Sequence, residues 1–161
     1  LSSDEQALIL RVTGEHKRGF RDHLVIALAL GAGLREHEIV ALRIGQLWRD
    51  GRVVRRLELE VFKGQDRKGG TEHVILPDSL RRKLEQWIDL RRRELGSIDP
   101  AAPLFASREG GGWQPISERR IRSMWRGWQK RARFERLFPF HALRHTFCTN
   151  AYQESGRDLL Q

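Results

Sequence analysis

Pro139-Phe140-His141-Ala142-Leu143-Arg144-His145-Thr146-Phe147 sets His141, Arg144 and His145 at i, i+3 and i+4 just behind a proline. At helical spacing those three side chains share one face close to an N-terminus, the end whose dipole favours anions. Leu143 and Phe147 mark the neighbouring face as the one that packs inward. Pro139 before the start and Gly156 as an end signal predict a helix from about His141 to Ser155. Such a cluster suits gripping a phosphodiester and moving a proton. His141, His145 and Cys148 also fall at i, i+4 and i+7, a spacing open to a metal. The interposed Arg144 repels a cation and no acidic ligand is near, so neither a metal nor a cofactor is expected. For His145 the default reading is a buried structural histidine.

A second segment, Gly33-Leu34-Arg35-Glu36-His37-Glu38, starts a short helix, about Arg35 to Leu42, after a glycine-rich break. The backbone can aim an arginine at that position, and Glu38 at i+3 can hold its fork. Taken alone, the segment also reads as a surface ion pair.

Between the two segments the chain alternates helical and extended patterns. Ser2 and Glu5 stand at capping-box spacing, predicting a helix to about Thr13. A more apolar helix follows from about Arg18 to Leu30, with Gly31 and Gly33 punctuating its end. Arg52 to Val61 ends in alternation, with Leu57, Leu59 and Val61 on one face, and His73 to Leu76 reads as the returning strand. The polar turn between them carries Lys63, Arg67 and Lys68. Asp78 or Ser79 caps the next helix, to about Leu95, whose stripe is Leu80, Leu84, Trp87 and Ile88. Leu104 to Ala106 reads as a short strand, and Gly110 to Gly112 as a turn. Ser117 opens another helix, with Ile121, Met124, Trp125 and Trp128 inward. The sum is a mainly α fold with a small antiparallel β-sheet (α+β). It reads as one domain over residues 1–161, with no internal repeat and no convincing boundary.

Charge narrows the partner. The 161 residues carry 30 Lys and Arg against 21 Asp and Glu, a net +9, which favours a polyanion over a neutral ligand. Eight of the basic residues and only two acidic ones fall between Ser117 and Arg136. Arg119, Arg120, Arg122, Arg126 and Lys130 on that helix are the candidates for contacting a DNA backbone, a solvated basic face being the alternative. The single cysteine, Cys148, excludes an internal disulfide and suits a reducing setting. The longest apolar run, Leu24 to Leu34, is 11 residues, short of the roughly 20 that span a bilayer. A cytoplasmic, DNA-associated protein is expected.

Taken together in this order, Gly33-Leu34-Arg35-Glu36-His37-Glu38, a hairpin lysine and Pro139 to Phe147 resemble the catalytic domain of the tyrosine recombinase (phage integrase) family. The resemblance covers nearly the whole chain. It implies a mainly helical domain with a small sheet, preceded by a separate DNA-binding domain. By position, Arg35 and Arg144 match the two catalytic arginines, His141 the histidine and Glu38 the acidic neighbour of Arg35, with His145 in support. Lys68 keeps the family's spacing to the returning strand and is the expected lysine, with Lys63 the alternative. The family cleaves and rejoins DNA through a 3′-phosphotyrosine without a cofactor, as multimers on double-stranded DNA. Its pattern continues past Gln161 into a Leu-Gly-His segment and the nucleophilic tyrosine. The resemblance therefore implies a chain cut short of its nucleophile, monomeric in solution and unable to cleave. Tyr152, mid-helix, falls where the family has none and reads as a packing or surface residue. Two other readings remain at this level: a recombinase-derived DNA-binding protein without catalysis, and a type IB topoisomerase-like relative.

Overall fold

A computed structural model describes residues 1–61, 70–109, 111 and 113–158. Lys63, Arg67 and Lys68 lie outside the described residues, as do Gly110, Gly112 and Leu159 to Gln161. Seven helices and four short strands are described, divided between two compact units: residues 1–40 with 116–161, and residues 41–115.

In the first unit, α1 (Ser3–Glu15) begins with the capping box read from the sequence: Glu5 N–H donates to Ser2 Oγ and Ser2 N–H to Glu5 Oε2. α2 (Phe20–Ala32) is apolar nearly all round, and Leu24, Val25, Ile26 and Leu28 are fully buried. A helix with no polar face must be wrapped by others, and α1, α6 (Glu118–Arg131) and α7 (His141–Asp158) pack against it. α6 starts at Ser117, whose hydroxyl accepts from Arg120 N–H, and buries Ile121, Met124, Trp125 and Trp128 as its spacing predicts. Gly31 does not end α2; Gly33 does, at φ 71°. Gly156 likewise lies inside α7, which runs past the end expected for it.

In the second unit, the extended stretch after Leu47 is two ribbons rather than one hairpin. Strands β1 (Trp48–Arg49) and β2 (Arg52–Val53) pair around Asp50-Gly51, both at positive φ, the backbone of a two-residue hairpin turn. β3 (Arg56–Val61) pairs antiparallel with β4 (Gly70–Ile75), burying Leu57 and Leu59 on one face. The chain leaves the β1–β2 ladder at Val54, so the run from Arg52 to Val61 is divided between two partners. α5 (Asp78–Leu95) takes Pro77 as its N-cap; the Asp78 side chain pairs with Arg81 instead of capping. Its buried stripe is Leu80, Leu84, Ile88 and Arg91, while half-buried Trp87 donates its indole N–H to Leu104 O. Leu104 to Ala106 is not a strand: only isolated bridges, Arg43 to Pro103 and Ala106 to Pro115, flank it. α3 (Glu36–Ala41) and α4 (Ile44–Leu47) complete the helices. No helix among the described residues is long and apolar enough to cross a membrane.

Candidate active site

The site is organised around Gly33. Its left-handed φ of 71° suits glycine, and space demands it too. A Cβ there would lie 2.4 Å from Phe147 Cδ1 on α7. One turn earlier on α7, Arg144 donates from a terminal guanidinium nitrogen to Gly33 O. Phe147 and Arg144, spaced i+3, therefore hold the end of α2 against α7 by packing and by a charge-assisted hydrogen bond. Two residues on, Arg35 leaves that fixed corner.

Glu38 secures Arg35 twice. Its Oε2 accepts from the Arg35 backbone N–H at 2.8 Å, and its Oε1 lies 3.5 Å from the Arg35 guanidinium. The Glu38 side chain is only 9% exposed whereas that of Arg35 is 45% exposed, so the holder is the more enclosed and the held group reaches solvent.

α6 fixes the other side. Buried Gln129 accepts from Phe138 N–H at 2.7 Å and donates to Phe138 O at 3.1 Å, while the Trp125 indole donates to the same carbonyl at 2.8 Å. Three bonds to one residue set where Pro139 turns the chain into α7. Phe140 is buried and His141, the first residue of the helix, is exposed. The amides of Ala142 and Leu143 bond back to Pro139 O and Phe140 O, so these first-turn donors are already engaged. The His141 and His145 rings meet edge to face at 4.3 Å.

Arg35, His141 and Arg144 thus open onto one pocket of about 320 Å³, shared with Leu34, Glu36, His37, Glu118, Arg122 and Phe140. Buried Leu34 and Phe140 give it an apolar side, which strengthens the field of the guanidiniums. Glu38 and His145 are not in its lining; they touch Arg35 and His141, which are. Arg119, Arg120, Arg126 and Lys130 are exposed along α6. Arg122 is exposed as well but paired, its Nε 3.1 Å from Glu36 Oε2 and a terminal nitrogen 3.6 Å from Glu118 Oε2. Burial raises the Glu36 pKa from its ordinary value, opposed by the nearby Arg122. Glu36, Glu118 and Gln129 were not legible as site residues, because their partners are distant in sequence or depend on helix facing. Among the described residues no three His, Cys, Asp or Glu side chains come together as a metal ion requires.

Arg35, Arg144 and His141 thus line one pocket on a mainly helical scaffold. The family model described as the Phage integrase family matches residues 1–160, and the chain belongs to that family. No curated protein matches it significantly. Among solved structures, it is similar to the XerA recombinase, with a TM-score of 0.75 and 22% identity over 96% of this chain and 50% of that one. It is also similar to the XerH site-specific recombinase bound to difH substrate, with a TM-score of 0.67 and 20% identity over 96% and 42%. Lambda integrase residues 75–356 bound to DNA give a TM-score of 0.59 and 18% identity over 91% and 48%. The chain therefore spans half or less of each of these relatives, and they share its mainly helical fold with small antiparallel sheets.

Proposed function

We propose that residues 1–161 are the catalytic domain of a site-specific DNA recombinase or integrase that cuts and rejoins double-stranded DNA through a 3′-phosphotyrosine. The observation that carries this reading is the convergence of Arg35, Arg144 and His141 on one partly apolar pocket. When a nucleophile attacks a phosphodiester, negative charge gathers on the non-bridging oxygens. Two guanidiniums can bind those oxygens in forked geometry and stay charged at any working pH. His141, supported edge-on by His145, donates to the same oxygens or carries a proton. Lys68, the residue matching the family lysine, is assigned the proton for the leaving 5′ oxygen. Attack by tyrosine keeps the phosphodiester energy in a covalent bond, so rejoining needs no ATP and no cofactor.

The nucleophile is assigned to a residue outside this chain. Tyr152 is the only tyrosine of the sequence, and it follows Arg144 by eight residues on the same helix. That separates them by about 12 Å along the axis. Its side chain is 82% exposed and does not line the pocket. This chain by itself is thus expected to bind DNA as a monomer without cleaving it. The longer protein is expected to act as a multimer on DNA, with exposed Arg119, Arg120, Arg126 and Lys130 following the phosphate backbone.

The test is a nicked suicide duplex offered to the product of the whole reading frame. A denaturation-resistant protein–DNA adduct that disappears in Arg35→Ala and Arg144→Ala is expected. An adduct indifferent to both arginines would overturn the reading, and DNA binding with no adduct at all would leave a non-catalytic DNA-binding protein in its place.

A further inference from the structure

One ion pair in the pocket is unexplained by phosphate chemistry. Glu36 follows Arg35 directly, and its carboxylate faces into the same 320 Å³ space as Arg35, His141 and Arg144. A carboxylate weakens an anion site, yet this one is well partnered: Glu36 Oε2 lies 3.1 Å from Arg122 Nε. Arg122 Nε also lies 3.4 Å from Glu118 O. Glu36, Arg122, Phe140 and His141 also line a second cavity, of about 470 Å³, whose other walls include Arg126 and Lys130. The Glu36–Arg122 pair is therefore the shared wall between the phosphate pocket and a basic groove along α6.

We propose that Arg122 is a third anion-binding guanidinium of the pocket, held by Glu36, and that binding of a phosphate-like anion is coupled to neutralisation of the Glu36 carboxylate. This rests on the phosphate-site reading above and deepens it. With the pocket empty, Glu36 supplies Arg122 with a counter-charge. An anion lodged between Arg35 and Arg144 repels that carboxylate and competes with it for Arg122, so the bound state favours a protonated Glu36.

The groups facing Glu36 are Arg122 and Glu118 from α6, His141 and Arg144 from α7, and Arg35 and His37 from its own segment. Burial, then the repulsion of Glu118, push its pKa upward, while Arg122, His141 and His37 oppose this. The bound anion adds a further upward push. A ligand that raises a pKa binds the protonated form more tightly, so anion affinity rises as pH falls through the Glu36 titration.

The probe is sulfate, which does not titrate in this range, added at constant ionic strength to the ¹⁵N-labelled chain while arginine side-chain resonances are followed. At pH 7.5, Glu36→Gln is expected to bind sulfate about tenfold more tightly than the wild type, equivalent to one unit of pKa coupling. That ratio is expected to fall toward one near pH 4.5, about the ordinary range of a carboxyl. Arg122 should shift with Arg35 and Arg144 on binding, and Glu36→Ala should behave like Glu36→Gln. Equal affinities at pH 7.5, a ratio unchanged by pH, or sulfate shifts confined to Arg35 and Arg144 would overturn this coupling and leave the phosphate site standing. Sulfate that moves no pocket arginine in any of the three proteins would overturn both.

Discussion

Two arginines of the second unit are used in the opposite way to two of the first. In the second, the guanidiniums of Arg81 and Arg91 are consumed by the fold: Arg81 donates from Nε and a terminal nitrogen to Val53 O and from the other to Asp78. Arg91, 1% exposed, joins Pro103 O and Glu94. In the first, Arg144 donates to Gly33 O, Arg35 is 45% exposed, and both line a pocket. A guanidinium has five N–H donors in a rigid fork, so its role depends on how many of them the protein claims. Where carbonyls and carboxylates claim them, arginine is a strut; where donors remain, it has N–H groups to offer an oxyanion.

This contrast makes its largest prediction in the covalent adduct assay. Removing a preorganised oxyanion donor typically lowers a rate about 10²- to 10³-fold, so Arg35→Ala and Arg144→Ala should each lose that much adduct formation. Arg81→Ala should stay within a few-fold of the wild type; comparable losses in all three would erase the distinction.

Gly33→Ala attacks the corner that aims Arg35 and Arg144. The new methyl meets Phe147 at 2.4 Å on a backbone at φ 71°. Left-handed strain and overpacking together should cost about 3 kcal/mol in urea unfolding. Unchanged stability would mean that α7 can move away from α2, and the joint would not be rigid.

Stability should invert the ranking of the arginines. Arg91→Ala leaves Pro103 O without a buried donor and opens a void, destabilising by about 2 kcal/mol. Arg35→Ala, at an exposed position, should stay within about 0.5 kcal/mol. If Arg35→Ala unfolds as readily as Arg91→Ala, the pocket arginine is a strut as well.

The smallest effect lies along α6. Neutralising Arg119, Arg126 and Lys130 together should weaken duplex DNA binding regardless of sequence. It should also reduce the slope of log affinity against log salt by about 0.9 for every phosphate that these side chains neutralise. An unchanged slope would remove this helix from the DNA interface.

Much of the framework is legible in the sequence because it follows local rules. The Ser2–Glu5 box, the Ser117 cap, the α6 stripe and the near-continuous burial of α2 all come from spacing alone. Errors fall where a local signal is met by a competing partner or goes unused. Asp78 could have capped α5 but pairs with Arg81. The strand pattern after Arg52 is divided because Val53 and Arg56 have different partners, Trp48 and Ile75. Gly31 and Gly156 read as breaks, yet neither meets an atom within 4 Å where a Cβ would stand, and both stay helical. In the site, the Arg35–Glu38 pairing is legible at i+3. The Arg144 bond to Gly33 O is not, because 111 residues separate the two. Nor is the Glu36–Arg122 pair, which requires α3 and α6 to be folded together.

The most direct test of the account is a crystal of this chain soaked in tungstate, a tetrahedral oxyanion located by its anomalous scattering. The prediction is one ordered site between the Arg35 and Arg144 guanidiniums, with oxygens about 2.7–2.9 Å from their nitrogens and His141 alongside. An empty pocket with tungstate bound instead beside Arg81 and Arg82, or only on the exposed face of α6, would contradict it.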